Sequence, residues 1–85
     1  MKKGIAGSKE SSDCLISVSE AKEQSIEINS SVGAFFYQQI KQVVMSTLEE
    51  KGLTNVSVIV DDRGALDQTI KARLLVAIER MREDD

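Results

Sequence analysis

There is no histidine among the 85 residues. The commonest general base and the commonest metal ligand are therefore missing. A Ser-His-Asp arrangement is excluded, and so is a Cys-His zinc site. Cysteine occurs once, at Cys14, so no disulfide can close within the chain, which fits a reducing compartment. No apolar run approaches the ~20 residues needed to span a bilayer. Met1-Lys2-Lys3 looks like the start of a signal peptide, but no apolar segment follows it, and the expectation is a cytoplasmic protein away from the membrane. Glycine-rich phosphate loops of the G-x-G-x-x-G or Walker type are absent. Positive charge is not in excess: the formal net charge is -3, whereas a nucleic-acid binder usually carries a basic stripe. A hydrolase working alone is not expected from this inventory.

Eighty-five residues are enough for one domain, since two would each be too small to bury a core. A domain of this size benefits from contacts with other subunits. Residues 1–12 hold few apolar side chains and two glycines, and are expected to form a mobile arm. Residues 13–82 are expected to form the core. Cys14, Ile16 and Val18 alternate with Leu15, Ser17 and Ser19 as in a half-buried strand. Ser25–Asn29 alternates likewise, with Ile26 and Ile28 on one face. The short polar loop between these two runs predicts an antiparallel pair. Asn29-Ser30-Ser31 supplies capping side chains for a helix running to about Lys51. Its stripe would be Val32, Phe36, Ile40, Val43, Val44 and Leu48, with Phe35, Tyr37 and Met45 to the side, and Gly52 closes it. Val56, Val58 and Val60 mark a third strand, and Asp61-Asp62-Arg63-Gly64 reads as a turn. A second helix begins near Ala65 or Leu66, with the stripe Leu66, Ile70, Leu74, Ala77, Ile78 and Met81 and an Asp67–Lys71 pair near its start. The order β-β-α-β-α predicts an α+β two-layer sandwich, a three-stranded sheet packed against two helices.

Residue by residue, the ordinary readings are modest. Ser11 and Ser12 are solvated loop hydroxyls, and Cys14 is a small buried hydrophobe. Arg63, Lys71, Arg73 and Arg80 form a solvated basic face open to a partner or a phosphate. No ligand cluster supports a metal.

Two segments change the weight of these readings. Ala6-Gly7-Ser8-Lys9-Glu10-Ser11-Ser12-Asp13 is one. Val60-Asp61-Asp62-Arg63-Gly64-Ala65-Leu66-Asp67, followed by Ile70, Ala72 and Arg73, is the other. With Ile28-Asn29-Ser30-Ser31-Val32, Phe36 and Ile40 between them, they resemble the acyl carrier (gamma) chain of bacterial citrate lyase over residues 5–81. The resemblance implies a non-catalytic carrier, a phosphoprotein of a hetero-oligomer that ferments citrate. Its cofactor would be 2'-(5''-phosphoribosyl)-3'-dephospho-CoA, joined by a phosphodiester to the serine after the glutamate, which is Ser11 here, with Ser12 as the alternative. Other members often have glycine where this chain has Ser12. The implied partners are the alpha subunit, which exchanges acetyl for citryl on the carrier thiol, and the beta subunit, which releases oxaloacetate. A separate transferase would attach the group. A similar chain serves citramalate lyase. Outside that family, the sequence also admits an unmodified interaction module docking through Phe35, Tyr37 or the basic face.

Overall fold

Valine, isoleucine and cysteine side chains recur at every second position of the strand-forming runs, and this period of two gives a sheet with one apolar face. The computed structural model describes residues 1–84. Its order is β1 (Lys3–Gly7), β2 (Cys14–Glu20), β3 (Ser25–Ser30), a 3-10 turn (Ala34–Phe36), α1 (Tyr37–Glu50), β4 (Val56–Asp62) and α2 (Asp67–Glu83). The four strands lie side by side as β1-β2-β4-β3. β1 and β4 flank β2 antiparallel, and β3 runs parallel to β4, to which α1 connects it.

The register stacks the core face in rows. Gly4, Val18, Val58 and Ile26 form one row, and Ala6, Ile16, Val60 and Ile28 the next. The third row is Cys14, Asp62 and Ser30, so the apolar face turns polar at one end of the sheet. Both helices cover this face. α2 lies over β1 and β2, and α1 packs on β3 and against α2. Ile70, Leu74, Ala77, Ile78 and Met81 of α2 are buried with Ile40, Val44 and Leu48 of α1.

Several expectations are borne out, among them the α+β class, the two helices, the burial of Cys14 and strands starting at Cys14, Ser25 and Val56, though Asp61 and Asp62, expected in a turn, end β4 instead. Others are corrected. The sheet has four strands, not three, because residues 3–7 of the expected arm pair with β2. The runs at 14–20 and 25–30 are not neighbours; β4 inserts between them. The reason is hydrophobic: Val56, Val58 and Val60 of β4 are as fully buried as the inward residues of β2, which suits a central strand, whereas Ile26 and Ile28 of β3 are only half-buried, as at an edge. Gly33 at φ 98° cannot continue a helix, so α1 starts at Tyr37, and Val32 and Phe36 fall outside its buried stripe, each 45% exposed. Ser30 caps no helix; its hydroxyl donates to Asp62 at 2.9 Å. Leu66 precedes α2 and is exposed. Asp67 accepts from Gln39 and Lys71 pairs with Glu50, instead of with one another. No helix among the described residues is long and apolar enough to cross a membrane.

Candidate functional site: a serine turn stitched to the β4–α2 connection

The six residues between β1 and β2 return the chain through an antiparallel hairpin. Within them Glu10-Ser11-Ser12-Asp13 is a turn closed by the Asp13 N–H, which donates to the Glu10 carbonyl at 3.1 Å. Ser11 and Ser12 are its two central residues, and both are exposed. Ser12 has φ 67°, the only positive value at a non-glycine residue among those described. This is the backbone region that turns usually fill with glycine or asparagine. Ser12→Gly relieves ~1–2 kcal/mol of left-handed strain, offset by ~0.5–1 kcal/mol of extra chain entropy. The urea midpoint should rise slightly. Ser12→Val should lower stability by ~1–2 kcal/mol. A midpoint that rises for valine would refute the strain.

The three serines are not equivalent. Ser8 is half-buried, donates its hydroxyl to Asp13 Oδ2 at 2.7 Å and accepts the Glu10 N–H at 3.3 Å. The Ser12 N–H donates to the Arg63 carbonyl at 2.8 Å, and the Arg63 N–H donates back to the Asp13 carbonyl at 2.9 Å. The Ser11 hydroxyl takes no part in these bonds. It stands free at the apex of a turn fixed on both sides.

Asp13 is the clamp. Arg73, the seventh residue of α2 and sixty positions on, grips it with Nε at 3.1 Å and Nη2 at 3.0 Å. The Cys14 N–H adds a bond to Oδ1 at 2.7 Å. The Arg73 guanidinium, then the Ser8 hydroxyl and the Cys14 amide, hold the Asp13 carboxyl down to about 2, well below the ~3.9 of a free aspartate. Such a carboxylate, held by Arg73, is a poor base for Ser11. Asp13 favours the folded state when ionised. Its contribution is therefore complete above the unfolded value near 4 and is lost as the pH falls from ~4 towards 2. Urea midpoints measured across that window should fall in the parent chain, and the part due to Asp13 should vanish in Asp13→Asn. An identical pH slope in both would count against the clamp.

Three further charges surround the turn. Asp61 pairs with Arg63 Nε at 2.9 Å and with Lys9 Nζ at 3.8 Å; these pairs are partly exposed and individually weak. Asp62 is 1% exposed and accepts the Ser30 hydroxyl on Oδ2 and the Ala65 N–H at 3.0 Å on Oδ1. Cys14 is fully buried, and burial, with the charges of Asp13 and Asp62 behind it, pushes its thiol up to about 11. It is a packing residue and not a nucleophile. Among the described residues no three His, Cys, Asp or Glu side chains gather as metal ligands.

Beside the turn, between the first turns of the two helices, lies a cleft of about 650 Å³ walled by Val32, Phe36, Ile40, Leu66 and Ile70. The sequence singled out both segments that build this end of the molecule. It did not show that they meet: Asp13 closes the first and Arg73 ends the second, and their pairing joins the two.

A family model for the malonate decarboxylase delta subunit (MdcD) matches residues 1–81. A citrate lyase acyl carrier protein of Pectobacterium atrosepticum is 47% identical over 81 residues, 94% of this chain and 84% of that one. One from Streptococcus mutans is 45% identical over 78 residues, 89% of this chain and 76% of that one. Among solved structures, a chain of a Pseudomonas malonate decarboxylase hetero-tetramer in complex with malonate superposes with TM-score 0.79 at 13% identity, covering 94% of this chain and 84% of that one, a likeness of fold. A small β-sheet with two helices on one face, a pinned turn with a free serine at its apex, and relatives of this closeness agree: the chain belongs to the family of citrate lyase acyl carrier proteins.

Proposed function

We propose that this chain is the carrier subunit of a citrate lyase and that Ser11 bears the covalent prosthetic group, phosphoribosyl-dephospho-CoA. The observation that carries the site is the free Ser11 hydroxyl, exposed at the apex of a turn whose neighbours are all tied down. Attachment there needs only an accessible oxygen, and Ser11 offers the one hydroxyl of the turn that neither bonds within it nor sits in strained backbone. Ser12 is exposed too, but its φ of 67° and its bonded N–H fix it against Arg63. Lys9 and Arg63, both paired with Asp61, are cations next to the turn and could swing to a phosphodiester formed at Ser11.

When bound, the group supplies a thiol that holds acyl chains as thioesters. The chain's own residues present it. Asp13, Arg73 and Ser8 keep the turn in one shape for the transferase that recognises it. The firm turn also fixes the origin of the tether, which sets the effective concentration of the thiol at the alpha and beta subunits. Attachment would be made by a separate transferase. Citramalate lyase would use the same presentation, and the proposal is for a cytoplasmic complex of either kind.

The test is the intact mass of the chain from cells fermenting citrate, followed by peptide mapping. The expected result is one adduct of the mass of phosphoribosyl-dephospho-CoA, less water, on the peptide holding Ser11. An unmodified mass would favour an interaction module, for which the exposed Phe35 is the natural contact.

A further inference from the structure

We propose that the cleft beside the turn is a resting place for the tethered arm, taking it when the arm's end is neutral and releasing it when the end carries free carboxylates; this rests on the carrier reading above. The first ground is position. The Ser12 N–H bonds the Arg63 carbonyl at 2.8 Å, and the next residues, Gly64 and Ala65, already line the cleft. Anchor and cleft therefore share one end of the sheet, and a tethered ligand meets the cleft at a high effective concentration without leaving the molecule.

The second ground is chemical fit. A volume of about 650 Å³ is that of a small-molecule site. Its apolar wall includes three large side chains that water reaches: Val32 and Phe36, each 45% exposed, and Leu66, 66% exposed. Gln39 and Gln68 are among the lining residues, the Gln39 amide N–H already donating to Asp67 at 2.8 Å. A coenzyme A arm alternates short apolar segments with two amides, which matches apolar walls with amides at hand.

The third ground is charge. Asp62 and Asp67 line the cleft, and no lysine or arginine does. A carboxylate entering it loses water and gains no counter-ion. A neutral terminus pays no such penalty. The cleft thus distinguishes two loading states of one arm, sheltering the uncharged one and freeing the charged one for a partner.

The test compares amide NMR spectra of the full chain with and without the group, made by co-expression with its transferase, the adduct being verified by mass. Expected are shifts at Val32, Gln39, Ile40 and Ile70 beyond those at residues 8–13, unchanged on dilution. Capping the terminal thiol with iodoacetamide should preserve them. Capping with iodoacetate, which differs by one negative charge, should lower occupancy at least about tenfold. Cys14, fully buried, is spared by both reagents. Leu66→Asp, at an exposed position ahead of α2, should abolish the cleft shifts and leave those at 8–13. Shifts confined to 8–13, or equal shifts with both caps, overturn the inference while the carrier reading stands. Shifts that fade on dilution overturn it in favour of a second copy. Absence of any adduct from the co-expressed chain overturns the carrier reading, and this inference with it.

Discussion

Ser11→Ala leaves a folded chain that carries nothing. The side chain is exposed and makes no bond in the turn, so the change should alter stability by no more than ~0.5 kcal/mol. The effect on function is nearly complete. Without the phosphodiester oxygen no tether forms, and any free cofactor must reach two active sites by diffusion. A short tether supplies roughly millimolar effective concentration. Citrate cleavage by a complex reconstituted with the alpha and beta subunits should fall at least ~100-fold, to assay background. Intact mass and cleavage rate are read on the same preparation. Retention of the adduct would move the site to Ser12 or Ser8, and Ser8 would first have to release Asp13, to which it donates at 2.7 Å. Ser12→Ala separates these outcomes, because it should keep both adduct and activity.

Gly4→Ala should be the most damaging methyl group that can be added to the sheet. β1 lies so close to α2 that a Cβ at Gly4 would stand 1.9 Å from the Ala77 carbonyl oxygen and 2.4 Å from the Met81 nitrogen. Both are backbone atoms of a helix, so no side chain can turn aside. Relief requires β1 to lift from α2, which exposes Ala6 and breaks the bond from Arg80 Nη1 to the Ile5 carbonyl at 2.8 Å. Overpacking of this kind costs ~3 kcal/mol or more, a large part of the ~5–15 kcal/mol that holds a small domain. Gly4→Val should not fold. Ile5→Ala, one residue on and facing away from α2, should cost under ~1 kcal/mol. Urea unfolding followed by circular dichroism reads all three. Alanine tolerated at position 4 within ~1 kcal/mol would show that β1 does not rest on α2 as described.

The same strand marks the limit of what the sequence discloses. β2 and β4 are legible because every second side chain must be apolar to fill a core, and α2 is legible from its stripe at Ile70, Leu74 and Ala77. β1 has no such signature. At Gly4 and Ala6 the buried side chains are as small as side chains can be, because α2 presses on them. Close packing thus removes the hydrophobic bulk by which a strand is recognised, and a paired strand reads as an arm. The β2–β3 pairing failed for a different reason. Chain proximity favours neighbours in sequence, but β4 has apolar residues enough to sit between them, and register across a sheet is decided by burial. At the site, the resemblance pointed to Ser11, with Ser12 as the alternative, and its second segment held Arg73 without a role. What it withheld is the bond from Arg73 to Asp13, since an ion pair between an acid in a loop and a base on a helix leaves no periodic trace.

The seam between β1 and α2 also orders events in time. Gly4 leaves the ribosome early, and Ala77 and Met81 follow only after seventy more residues, several seconds later at ~5–20 residues per second. Arg73, which grips the carrier turn, comes equally late. A nascent chain can close the β1–β2 hairpin and still lack both the helix that seats it and the guanidinium that fixes its apex. A transferase that recognises the fixed turn would therefore pass over chains that still lack α2, and modification itself would report that α2 had been made and seated.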